Sequence, residues 1–91
     1  NPPATFLMRV TGDSMKDVGI LDSSILVIDR SITPKSGMIV VAALNGELTV
    51  KMYAVVNQKP CLIPANPDYP EIPITEETLI WGVVKASIHR F

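Results

Sequence analysis

Two segments of this 91-residue chain carry residue types that could do chemistry together. The first is Gly12-Asp13-Ser14-Met15-Lys16-Asp17, which follows an alternating apolar stretch. Glycine permits a sharp turn there, and the turn would lift the Ser14 hydroxyl off the end of a strand. If residues 14–17 form one helical turn, the free N–H groups at its start would point toward Ser14 and could receive negative charge developing on a carbonyl oxygen. The second segment is Thr49-Val50-Lys51. A lysine stripped of hydration becomes neutral more readily and can accept a proton, and a hydroxyl activated by a neutral lysine is an alternative to the Ser-His-Asp arrangement.

Each segment also has a plainer use. Asp13 or Ser14 can simply cap the turn. The Gly-x-Ser triplet lacks the second glycine of a nucleophile elbow. Lys51 can lay its stem over apolar neighbours with its ammonium in water. Local residues alone leave these alternatives open.

Other chemistries find less support. The one histidine, His89, lies in the last three residues, a poor place for a precise triad. Cys61, between Pro60 and Leu62, reads as a small core hydrophobe. One cysteine and one histidine fall short of a zinc ligand set, and the carboxylates lack calcium-loop spacing, so no metal and no cofactor are expected. Trp81 and Tyr53 are expected in the core or at an interface, and Tyr69 is expected to pack a loop. The stretch Asn66-Pro67-Asp68-Tyr69-Pro70 reads as a surface connection, with part of a peptide groove as the other use.

The elements that must position Ser14 and Lys51 are short strands. Residues 5–11 alternate, with Phe6, Met8 and Val10 on one face, and end at Gly12. Residues 25–29 (ILVID) form an apolar β-branched run. Residues 38–44 and 47–52 are joined by Asn45-Gly46, the strongest short-range hairpin signal. A two-residue loop then sets Val40 opposite Lys51 and Ala42 opposite Thr49, with Thr49 and Lys51 on one face. Residues 61–63 and 72–74 are further candidates, and residues 78–88 form a longer strand bulged or bent at Gly82. No sustained helical period is present. The expected fold is mainly β, a small half-open barrel or folded pair of sheets.

Composition sets the outer bounds. Ninety-one residues suit a single domain over 1–91, and 47% hydrophobic with 19% charged residues can bury a core. No apolar run reaches the roughly 18 residues needed to span a bilayer, and a lone cysteine fits a reducing compartment, so the cytoplasm is expected. A net charge of −1 without a dense basic cluster argues against strong direct nucleic-acid binding. Lys85, His89 and Arg90 are too sparse to change that. The two prolines within Asn1-Pro2-Pro3-Ala4 suggest an extended entry segment, so the chain is expected to begin partway through a longer protein.

Taken in order, Ala4-Thr5-Phe6, then Arg9-Val10-Thr11-Gly12-Asp13-Ser14-Met15-Lys16-Asp17-Val18-Gly19-Ile20, then Glu47-Leu48-Thr49-Val50-Lys51 resembles the catalytic domains of the LexA/UmuD-type self-cleaving serine proteases. The resemblance covers nearly the whole chain. It rests on a Ser-Met pair after a Gly-x step and a lysine closing Thr-Val-Lys 37 residues later (51 minus 14). It implies a β-clip-like fold in which Ser14 attacks a peptide carbonyl, neutral Lys51 takes its proton, the Asp13 and Ser14 amides hold the oxyanion, and Thr49 is a candidate helper near the lysine. It also implies a substrate, a small-residue-then-Gly bond in the protein's own N-terminal arm, which this sequence does not contain. Cleavage would be hastened by a RecA filament on single-stranded DNA during the SOS response.

Pro3-Ala4-Thr5-Phe6, Leu62-Ile63-Pro64-Ala65-Asn66 and Trp81-Gly82-Val83-Val84 look closer to UmuD than to LexA. That branch implies a homodimer which, once cleaved, joins a UmuC-like translesion DNA polymerase. The alternatives are the cleavage and dimerisation domain of a LexA-type or phage-type repressor, and a non-catalytic dimeric binding domain. One departure stands out. The family commonly carries a Gly-Asp step after the Gly-Ile segment, where this chain has Asp22-Ser23-Ser24.

Overall fold

The computed structural model describes residues 4–12, 15–66 and 68–89. Seven strands form one antiparallel sheet: β1 Thr5–Arg9, β2 Ile25–Asp29, β3 Ile39–Leu44, β4 Glu47–Val56, β5 Lys59–Ile63, β6 Ile72–Pro73 and β7 Leu79–Ile88. Their spatial order is β1-β2-β7-β3-β4-β5-β6. The last strand therefore sits in the middle. It joins the β1–β2 pair to the β3–β6 meander, so the sheet is complete only when β7 has been placed.

The Asn45-Gly46 hairpin has the expected two-residue loop. Both residues adopt positive φ (51° and 81°), the requirement of a type I′ turn. Val40 stands opposite Lys51, and Ala42 opposite Thr49. β4 runs four residues past its expected end at Met52, because a second two-residue hairpin, Asn57-Gln58 with φ of 52° and 64°, returns the chain into β5. β1 in turn stops at Arg9 rather than Thr11. Ser23 takes φ 70°, and the ladder gives way to Val10 N–H donating to the Ser24 carbonyl (2.9 Å) and Ser23 N–H to the Val10 carbonyl (2.8 Å).

β7 is irregular as expected. Its register shifts beside Trp81 against β3 and beside Lys85 against β2. Gly82 lies between these shifts at a close approach, where an added Cβ would stand 2.6 Å from Ile28 Cγ2. No side chain larger than hydrogen fits there without movement.

Both faces of the sheet are covered. Val41 joins Leu26, Ile28, Val50, Met15 and Ile20 in one apolar cluster, while Val40 and Ala42 join Leu62 and Val83 in another. Adjacent residues of β3 point to opposite faces, and all three are fully buried. Among the described residues one three-residue 3-10 turn accompanies the strands, in keeping with the expected mainly β chain. Trp81 packs edge-on against Phe6, with ring centroids 6.3 Å apart, and carries the Arg30 guanidinium 5.1 Å above its ring. Cys61 is buried, and burial pushes its thiol pKa up.

Candidate active site

Lys51 is the one charged residue among the buried side chains of the described residues, with 6% of its surface exposed. Alternation along β4 puts it on the face of Val40 and Ala42, as the hairpin register requires. The β4–β5 register sets Met52 opposite Ile63; continued one residue beyond the ladder, it brings buried Pro64 opposite Lys51. These neighbours offer no replacement for water around an ammonium. Burial accordingly lowers the lysine's pKa from its ordinary value, and no described group contributes an opposing charge. The solvated-lysine alternative does not hold for this side chain. Thr49, half-buried and two residues away on the same face, pairs with Ala42.

Tyr69 places its ring 5.5 Å from Lys51 Nζ. Sequence reasoning assigned Tyr69 to loop packing and missed this contact. The loop is rooted by Asn66, which is 1% exposed and accepts two backbone N–H groups: Asp68 to its side-chain Oδ1 (3.0 Å) and Tyr69 to its carbonyl (3.1 Å). Asparagine is a common turn former because its side chain can accept the backbone N–H two residues on. Nothing local says that the turn ends over a lysine from another strand.

Ser14 and Asp13, the expected nucleophile and oxyanion amide, lie outside the described residues. The residues that flank them are firmly held. Gly12, at φ 98°, donates its N–H to Asp22 Oδ1 (2.9 Å). Met15 is 1% exposed in the first apolar cluster, and its Sδ accepts the Ala65 N–H at 3.3 Å. Ala65 follows Pro64, so Met15 ties the serine-bearing segment to the chain just beyond the lysine's neighbour. Lys16–Val18 form a 3-10 turn with Met15 at its N-cap, and Gly19 (φ 86°) closes it with an N–H to the Lys16 carbonyl at 3.0 Å. Of the expected turn over 14–17, Lys16 and Asp17 are helical, Met15 is the N-cap, and Ser14 lies outside the described residues.

The departure at Asp22-Ser23-Ser24 has a structural explanation. Ser23 holds the left-handed conformation in which glycine bears no Cβ penalty. Ser24, fully buried, uses its Oγ to accept the Leu21 N–H at 3.1 Å. Asp22 tethers Gly12, so the loop supports the turn that leads to Ser14.

A cleft of about 150 Å³ lies between residues 8–11 on one side and 48–50 on the other. It therefore runs between the strand that leads to Gly12 and the strand that leads to Lys51. β1 is an edge strand, and the β4–β5 ladder covers only Met52 to Val56, so both walls present backbone that this sheet does not pair among the described residues. No group of three His, Cys, Asp or Glu side chains that could hold a metal occurs among the described residues. No helix among them is long and apolar enough to cross a membrane.

The Peptidase S24-like family matches residues 1–85. Protein MucA of Salmonella typhimurium is 45% identical over 91 residues, covering 97% of this chain and 62% of its own length. Protein SamA of Salmonella typhimurium strain LT2 is 43% identical over 89 residues, covering 98% of this chain and 62% of its own. The LexA repressor of Halorhodospira halophila is 46% identical over 77 residues, or 85% of this chain and 34% of the repressor. The chain thus spans less than two thirds of the length of these relatives.

Proposed function

This chain belongs to the Peptidase S24-like family, and we propose that it is the catalytic domain of a serine endopeptidase that cuts its own N-terminal arm with a Ser14–Lys51 dyad. The observation that carries the proposal is a lysine buried among apolar neighbours, with its pKa lowered by burial, on the strand beside the cleft. Family membership supports serine peptidase chemistry, and Ser14 lies within the matched residues 1–85.

In this mechanism an extended peptide lies in the cleft and pairs with the open backbone of β1 and of the first half of β4. Neutral Lys51 Nζ takes the Ser14 hydroxyl proton as Oγ bonds to the scissile carbonyl carbon. The Asp13 and Ser14 amides hold the oxyanion. When the C–N bond breaks, Lys51 returns the proton to the leaving amine, leaving an acyl-serine. Lys51 then takes a proton from water as the water oxygen bonds to the acyl carbon, and returns that proton to Ser14 Oγ as the acyl C–O bond breaks, which restores the free hydroxyl and the neutral amine. Thr49 assists from the same face of β4.

MucA and SamA match almost the full chain, which favours the UmuD-like branch. On that reading the protein acts in the SOS response in the cytoplasm as a homodimer, is stimulated by a RecA filament on single-stranded DNA, and serves a UmuC-like translesion polymerase after cleavage. The LexA repressor match favours a second reading, the cleavage domain of a repressor, which an upstream DNA-binding domain would distinguish.

The pH dependence tests the base. Only the neutral amine accepts a proton, so below the Lys51 pKa the cleavage rate is expected to rise about tenfold per pH unit and to level off above it. A plateau below the ordinary lysine pKa of about 10.4 fits a buried base. A rate that stays flat between about pH 6 and 10 contradicts a lysine base.

A further inference from the structure

Lys51 and Tyr69 differ sharply in exposure. The lysine is 6% exposed, whereas the tyrosine whose ring stands 5.5 Å from its Nζ is 42% exposed. The ring therefore lies on the solvent side of the contact. Its loop leaves the β5 end through Pro64 and Ala65, and the Asn66 turn fixes its direction with two hydrogen bonds to a buried side chain and its carbonyl. An exposed aromatic on so firmly rooted a turn costs apolar surface in water, and core packing does not account for that exposure. A cation near its ring face does account for it.

We propose that Tyr69 is a positioning residue for Lys51, its ring holding the lysine end group in place and keeping water off it. This inference rests on Lys51 being the base of the dyad. Strand β3 presents Val40 and Ala42 to the lysine, the residue beyond β5 is Pro64, and the loop presents Tyr69, so among the described neighbours the tyrosine is the one titratable group. Two effects of the ring oppose each other. Its face favours the ammonium, while its bulk denies the ammonium water. Hydration stabilises an ammonium more than a ring face does, so uncovering the lysine should favour its charged form.

The test is an NMR titration of the Lys51 side chain in wild type, Tyr69→Phe, Tyr69→Ala and Tyr69→Gln, with cleavage by the full-length protein followed in parallel. Tyr69→Ala is expected to raise the Lys51 midpoint toward the ordinary value of about 10.4 and to slow cleavage at neutral pH about tenfold per unit of that rise. Tyr69→Phe keeps the ring and should leave the midpoint in place. Tyr69→Gln keeps the length and polarity of an exposed side chain without the ring, so it should shift the midpoint as alanine does and serves if the alanine variant fails to fold. An unmoved midpoint in both Ala and Gln variants overturns the inference, as does a Phe variant that shifts as far as Ala. A Lys51→Ala control separates the levels. If that control still cleaves, the dyad falls and the positioning role with it; if it is silent while the Tyr69 variants titrate as wild type, only the positioning role falls.

Discussion

Replacing Lys51 with methionine is expected to give a protein that is more stable than wild type at neutral pH and at least about a thousandfold slower in cleavage. Methionine fills a similar elongated volume, and it carries no charge that burial must strip of water. The gain should be about 1 kcal/mol at pH 7, or roughly 4–8 °C in melting temperature for a domain of this size. The pH dependence follows from the lowered pKa of the folded lysine. Between that value and the unfolded value of about 10.4, the unfolded chain binds more protons, so wild-type stability rises with pH. Below the window the cost of burial is present in full, and above it both forms are neutral and the cost vanishes. The methionine variant's advantage should therefore be largest at neutral pH and shrink as pH approaches about 10. Urea unfolding at pH 7 and pH 10 measures both points. A variant less stable than wild type at pH 7 would mean that the surroundings stabilise the ammonium by more than burial costs it, which is incompatible with a lysine prepared to act as a base.

Truncating Met15 to alanine should have the largest effect on the fold near the serine. The side chain is 1% exposed and packs with Ile20, Leu26 and Val50. Burial of that kind makes the loss about 2–5 kcal/mol, a large share of the roughly 5–15 kcal/mol that holds a small domain together. Met15→Leu preserves volume and should cost under about 1.5 kcal/mol, even though the Ala65 N–H loses its sulfur acceptor. Cleavage should follow the same order. Ser14 is bonded directly to Met15, so loosening that anchor misplaces the nucleophile and should slow cleavage about a hundredfold in the alanine variant below its melting temperature. Thermal unfolding with parallel cleavage assays checks this. An alanine variant as stable as wild type would show that Met15 does not anchor the turn.

The sequence made some of this arrangement legible. Asn45-Gly46 is a turn signal strong enough to set a register, and the register alone placed Lys51 and Thr49 on the face of Val40 and Ala42. Whether that face is wet or dry was not legible there. It depends on how the sheet folds and on Leu62 and Val83, brought in from distant strands. Asn57-Gln58 escaped notice because its second residue is not glycine, although the asparagine was half of the signal. Ser23 shows the same difficulty from the other side, a left-handed residue whose type gives no warning of it. Tyr69 could not be assigned to Lys51, since its loop is 18 residues further along the chain (69 minus 51) and only the β4–β5 pairing brings the two together.

The dyad itself is tested most directly by following cleavage of the N-terminal arm in the full-length protein at raised pH, comparing wild type with Ser14→Ala and Lys51→Ala. Wild type should cut, and both variants should be silent while showing the circular dichroism of the folded β domain. Cleavage by either folded variant, or an inert wild type even with RecA filament present, would contradict the serine-lysine mechanism and leave a binding domain.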